Sequence, residues 1–132
     1  MTEHFGEHLI IDGYGCNPKK LSDKNKVGQV IQEIILETKM NKLSEIQCYE
    51  VEGTIGTKDS GGITGMCIVK ESHISIHTFT NRQYVSIDIF TCKNGMDIET
   101  IKKICQFGFD IKSSDSTLMK RGLHFPQADI TI

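Results

Sequence analysis

The chain has 132 residues, enough for one domain with a real core yet small enough that a site could need completion by a second copy. Hydrophobic residues make up 38% of it and charged ones 24%, for a formal net charge of -2. That composition describes a soluble globule and, without a stripe of Lys and Arg interleaved with aromatics, excludes a nucleic-acid footprint. No apolar run approaches the roughly 20 residues of a membrane span. The N-terminus, with Glu3, His4 and Glu7, lacks the basic-then-apolar order of a secretion signal, so a cytoplasmic location is expected.

In chain order, residues 7 to 14 read as a largely buried strand. Its apolar run Leu9-Ile10-Ile11 is closed by the turn formers Gly13, Gly15, Asn17 and Pro18. Lys19, Lys20, Lys24 and Lys26 form the solvated entrance of a helix. Val27, Val30, Ile31, Ile34, Ile35 and Thr38 then recur as one helical face that packs on a sheet, with Ser22 or Asp23 placed to cap it. From Ser44 to Thr54, Ile46, Cys48 and Glu50 alternate with Gln47, Tyr49 and Val51, predicting a strand partly covered on both faces. Residues 56 to 62 read as a flexible loop, and Ile63 to Val69 as a strand. Ile74 and Ile76 face one way while His73, Ser75 and His77 face the other. After a turn around Thr80 to Gln83, Val85, Ile87 and Ile89 alternate with Ser86, Asp88 and Phe90, which predicts an antiparallel pair. A second helix begins near Asp97, with Ile98, Ile101, Ile104 and Cys105 on its inner face, and the serine-rich Phe109 to Met119 reads as an edge or exposed strand. Runs of strands with two helices interspersed predict an α+β fold, a two-layer sandwich whose mostly antiparallel sheet carries both helices on one face. The other face is left bare in a monomer, which favours sheet-against-sheet association into a homodimer or higher homo-oligomer.

Five cysteines, at 16, 48, 67, 92 and 105, form no Cys-x-x-Cys pair, and an odd number fits reduced thiols better than a disulfide framework. His4 and His8, like His73 and His77, are four apart. On a strand that is about 13 Å, too far to share an ion, so no metal site is expected.

The densest chemistry lies in Lys70-Glu71-Ser72-His73-Ile74-Ser75-Ile76-His77-Thr78, with Phe90-Thr91-Cys92 downstream. Serine and histidine alternating with isoleucine also make an ordinary half-exposed strand. The octet Glu71 to Thr78 with that Phe-Thr-Cys, however, resembles the self-processing site of the prokaryotic S-adenosylmethionine decarboxylases, small pyruvoyl enzymes of polyamine synthesis. Gly6-Glu7-His8-Leu9-Ile10-Ile11-Asp12, Gly62-Ile63-Thr64-Gly65 and Arg121-Gly122-Leu123-His124-Phe125-Pro126 resemble the same family, so the likeness covers most of the chain.

A decarboxylase needs an electron sink, and a carbonyl that condenses with the substrate's amine provides one. The resemblance implies that this chain makes its own, a pyruvoyl group generated from Ser72. Ser72 Oγ attacks the Glu71 carbonyl to give an ester, removal of the Ser72 α-proton expels the Glu71 carboxylate, and the remaining dehydroalanine loses ammonia. The single decarboxylase domain thereby becomes two fragments, 1 to 71 and 72 to 132. By the same resemblance Thr64 supplies a processing hydroxyl where the family has Ser, His77 takes the Ser72 α-proton, and Cys92 returns a proton to the substrate. Strict alternation sets Ser72 and His77 on opposite faces, a separation that a bend or bulge at the cleavage point would reconcile but that the sequence does not itself predict.

Where the family continues with an aromatic and Pro-Glu, this chain has Phe79-Thr80-Asn81. The family's glutamate holds ribose hydroxyls, and asparagine, with one acceptor oxygen and no charge, grips a hydroxyl pair less well. Phe79 and Asn81 are thus the candidate substrate contacts. Three readings follow. In the first, the substrate is S-adenosylmethionine, held by aromatics such as Phe5, Tyr49 or Phe79. In the second, a diverged relative takes arginine or ornithine, with Glu50, Glu52 or Asp88 facing the distal cation. In the third, the chain is a non-catalytic regulatory subunit, which retention of Ser72, His77 and Cys92 argues against.

Overall fold

A computed structural model describes residues 4–130. Six antiparallel strands, β1 (Gly6–Tyr14), β2 (Gln47–Glu52), β3 (Gly61–Val69), β4 (Ser72–Phe79), β5 (Tyr84–Thr91) and β6 (Ser113–Arg121), form one sheet in the order β2-β3-β4-β5-β1-β6. The main helices are α2 (Lys24–Thr38) and α3 (Ile98–Phe109). Short helices α1 (Pro18–Leu21) and α4 (Gln127–Ile130) precede α2 and end the described chain.

Each main helix begins where a side chain satisfies its open amides. Asp23 Oδ1 accepts from Asn25 N at 2.9 Å and Asp97 Oδ1 from Thr100 N at 3.2 Å, so of the two expected caps for α2 the chain uses Asp23. They end on Lys39 and Asp110, both left-handed, which turns the chain back toward the sheet.

Period-2 and period-3.6 patterns meet in the core. Leu9 and Ile11 of β1, Ile63 and Cys67 of β3, Ile74 and Ile76 of β4 and Val85, Ile87 and Ile89 of β5 lie under Val27, Val30, Ile31 and Ile34 of α2 and Ile101, Cys105 and Phe109 of α3. Truncating any one of the fully buried isoleucines to alanine costs about 2–5 kcal/mol. Gly108 lets α3 close on α2, since a Cβ there would overlap Val30. The expected two-layer α+β sandwich, with both main helices on one face, is thus the fold observed.

Two local expectations are corrected. β2 is exposed except at Cys48, which packs on the core, instead of partly covered on both faces, because it is an edge strand paired with β3 alone. The last strand starts at Ser113, not near Phe109, which is buried in the final turn of α3. β6 is exposed throughout and pairs with β1 at the opposite edge. On the face away from the helices Ile68, Met66 and Met119 stand exposed beside Phe90, His73 and His8.

Candidate active site

Strand register organises the candidate residues into two cross-sheet rows. One crosses the helix-covered side at the start of β4: Val69, Ser72, Thr91 and Glu7 stand opposite one another in turn. The other crosses the bare side near the end of β4 as Tyr49, Thr64, His77, Ser86 and Asp12. The rows are five residues apart along β4, about 17 Å at the rise of an antiparallel strand.

In the first row, Glu71 and Lys70 form the two-residue connection between β3 and β4, so the Glu71–Ser72 bond lies where the hairpin turns. Cys92 follows Thr91, the β5 partner of Ser72, and its backbone N–H donates to the Glu71 carbonyl oxygen at 3.1 Å. Ser72, Glu71 and Cys92 are therefore brought together. Gly6 lets the start of β1 lie against the end of β5, since a Cβ there would overlap the Thr91 carbonyl and crowd the Cys92 Cα.

The Glu71 side chain is 9% exposed and accepts from Asn41 N and Asn41 Nδ2, each at 2.9 Å, with the Lys93 ammonium at 4.0 Å. Burial raises the affinity of this carboxyl for its proton, but the donors from Asn41, its own backbone amide and Lys93 together outweigh it and hold the group below its usual range. Beside it, Glu7 Oε1 accepts from Gly95 N and Met96 N at 3.1 and 3.0 Å, fixing the loop after Cys92.

In the second row, Thr64 Oγ1 and His77 Nδ1 share a hydrogen bond of 3.2 Å. His77 opens onto a cavity of about 490 Å³, walled by Phe79, Tyr84, Lys58, Asp59 and Arg82. Phe79 and Tyr84 stack with centroids 5.5 Å apart, and Tyr84 Oη donates to Asp12 Oδ1 at 2.7 Å. Burial, then that bond, push the Tyr84 hydroxyl up to about 12, so it stays a neutral donor.

Of the expected residues, Thr64 and His77 are brought together and so are Glu71, Ser72 and Cys92, but the two groups are kept apart. No bend or bulge in β4 reconciles them: its ladders run unbroken from Ser72 on both sides, because Ile74, Ile76 and Thr78 must all stay under the helices. Phe79 lines the cavity, whereas Asn81 is exposed in the turn at Thr80–Arg82 and does not. Phe5 packs on Phe125 at 4.7 Å. Glu50 and Glu52 are exposed on β2, and Asp88 Oδ1 is held by His8 at 3.1 Å.

Asn41, Lys93 and Asp59 were not legible as site residues. Asn41 and Asp59 sit in loops without periodicity, and only the fold carries them to the hairpin and the cavity. Glu7 had a signal, its place in the Gly6 to Asp12 stretch, but no role followed from it.

The sequence model of the S-adenosylmethionine decarboxylase family matches residues 7–122. An S-adenosylmethionine decarboxylase proenzyme of Pyrococcus furiosus is 32% identical over 127 residues, 96% of this chain and 85% of that protein. One from Clostridium kluyveri is 27% identical over 118 residues, 89% of this chain and 87% of that protein. The crystal structure of the adenosylmethionine decarboxylase of Aquifex aeolicus superposes with a TM-score of 0.73 at 22% identity, covering 91% of this chain and 92% of that one, which bears on the fold. With a match spanning nearly its whole length, the chain belongs to the S-adenosylmethionine decarboxylase family of carboxy-lyases.

Proposed function

We propose that this chain cleaves itself between Glu71 and Ser72, into 1 to 71 and 72 to 132, and that the product decarboxylates S-adenosylmethionine for polyamine synthesis through a pyruvoyl group formed from Ser72. The observation that carries this reading is the 3.1 Å hydrogen bond from Cys92 N–H to the Glu71 carbonyl oxygen, next to the one serine that follows it. A donor on that oxygen polarises the carbonyl Ser72 Oγ must attack and meets the charge that develops there. In the shift the Ser72 Oγ to Glu71 carbon bond forms, the peptide bond breaks, and the hydroxyl proton ends on the freed amine. Loss of the Ser72 α-proton then expels the Glu71 carboxylate, and water replaces the nitrogen as ammonia. The resulting keto carbonyl supplies the electron sink for decarboxylation.

The remaining residues act around it. Cys92 is half-buried and follows Thr91, the β5 partner of Ser72, and its thiol is the proton donor to the substrate carbon once carbon dioxide has left. His77, oriented by Thr64, is the base for the Ser72 α-proton. Because its own Ser72 is about 17 Å away and on the other face, His77 serves a second copy, whose bare sheet face packs on this one. The exposed apolar residues of that face support such a homo-oligomer. The cavity beside His77 then takes the nucleoside, with the stacked Phe79 and Tyr84 as its wall. Asp59 is the carboxylate lining that cavity, taking the hydroxyl-gripping role that Asn81 does not fill. All five cysteines are free, which suits a reducing cytoplasm.

The test is the intact mass of the denatured protein with a turnover assay offering S-adenosylmethionine, arginine and ornithine. Two fragments meeting at Glu71 and Ser72, the second blocked and one ammonia lighter than a serine-ended fragment, with turnover of S-adenosylmethionine alone, are expected. A single full-length mass would falsify self-cleavage and bring back a regulatory subunit. Turnover of arginine or ornithine would refute the substrate.

A further inference from the structure

The connection that carries the scissile bond is a weak turn by itself. Two-residue hairpins favour turns with positive φ, usually supplied by Gly or Asn, because these match the twist of the strands. Lys70 and Glu71 are neither, and positive φ outside glycine is confined, among the described residues, to Lys39, Gln83 and Asp110. A turn of the other hand splays its strands, so the geometry at Glu71 must be held from outside.

Asn41 holds it from one side. Its carbonyl oxygen accepts from Lys70 N at 2.7 Å, its backbone N–H donates to Glu71 Oε1 at 2.9 Å, and its side-chain Nδ2 donates to Glu71 Oε2 at 2.9 Å. Cys92 N–H holds the Glu71 carbonyl from the other. Lys93 fastens the two segments together, since its ammonium donates to Lys39 O at 2.9 Å while lying 4.0 Å from Glu71 Oε2. The carboxylate is thus gripped through both oxygens, three covalent bonds from the Glu71 Cα, and that grip acts together with the bonds at Lys70 N and the Cys92 amide to fix the orientation of the scissile carbonyl.

We propose that Asn41 is a positioning residue for self-cleavage. By clamping the Glu71 carboxylate it keeps the Glu71 carbonyl on the Cys92 amide and presents its carbon to Ser72 Oγ. The proposal rests on the self-cleavage reading above. It assigns Asn41 no part in turnover once the chain is cut. Small misplacements of a reacting atom are enough to matter, at about a hundredfold in rate for about 1 Å.

The test follows conversion of freshly made full-length chain into its two fragments by intact mass, well below the Tm of each variant, with Tm measured in parallel. Asn41→Asp, which sets a carboxylate against a carboxylate, is expected to lengthen the cleavage half-time by roughly ten- to a hundredfold. Adding Glu71→Gln exchanges donor and acceptor across the pair, and the double variant is expected to return to within a few-fold of wild type. Asn41→Ala should slow cleavage in the wild-type background and add little once Glu71→Ala is present, because the two substitutions remove one interaction. A lowered Tm with an unchanged half-time, additive slowing by Asn41→Ala and Glu71→Ala, or no rescue by the exchanged pair overturns the proposal. A wild-type chain that never cleaves overturns the self-cleavage reading itself, and this role with it.

Discussion

The two ends of β4 do different work. At its start, backbone register and two loops converge on the Glu71–Ser72 bond: Cys92 N–H on the carbonyl and Asn41 on the carboxylate. At its far end a side-chain pair, Thr64 and His77, faces an aromatic-walled cavity. Ser72 and His77 therefore sit in one strand but on opposite faces. A strand cannot bring two such positions together without breaking its ladder, and this one is unbroken. The lesson is that a sequence motif can hold all the parts of a site while the chain that carries it offers two half-sites.

The largest effect that would break this comparison comes from mixing variants. Ser72→Ala alone should leave one uncleaved, inactive chain, and His77→Ala alone should stall as well. Expressed together, the His77→Ala chain should be cleaved, since it keeps its serine and receives a histidine from the Ser72→Ala copy. No fragments by intact mass would mean that base and serine belong to one chain.

A smaller effect sharpens the division within the cleavage end. Cys92→Ala removes the thiol but leaves the backbone amide on the Glu71 carbonyl, so turnover should fall by about a hundredfold or more while cleavage slows by less than about tenfold. Equal losses in kcat and in processing rate would contradict separate roles for the thiol and the amide.

The smallest concerns acid. The Glu71 carboxyl is held below its usual range, so its interactions contribute stability that is fully present above the unfolded value of about 4.3 and is lost as pH falls through the lower folded one. In uncleaved Ser72→Ala protein, Tm should fall by a few degrees more between pH 5 and about pH 3 than in the same protein carrying Glu71→Gln. Parallel curves would show that the clamp adds nothing to stability.

Much was legible in the chain. The α2 stripe from Val27 to Thr38, the alternation of Ile74 and Ile76 with His73, Ser75 and His77, the cap of α2 and the start of α3 near Asp97 follow from periodicity and local chemistry, and each appears where expected. Ser72, His77 and Cys92 stood out by resemblance. β2 was read less well, because a strand's burial depends on its neighbours and it turned out to be an edge, whereas β6 is the exposed edge expected and only its start was misplaced.

What the sequence by itself determined is therefore the set of elements, the face each buries and the residues that could carry the chemistry, since these depend on side-chain type and on spacing within one segment. Only the tertiary structure decided who meets whom. Strand order put β5 beside β4, so that Cys92 reached Glu71 across 21 residues of chain. The left-handed turn at Lys39 brought Asn41 onto the hairpin, 30 positions away. An unbroken ladder held His77 away from its own Ser72. Such contacts arise from burying one face of a sheet under two helices, a condition that no segment meets alone.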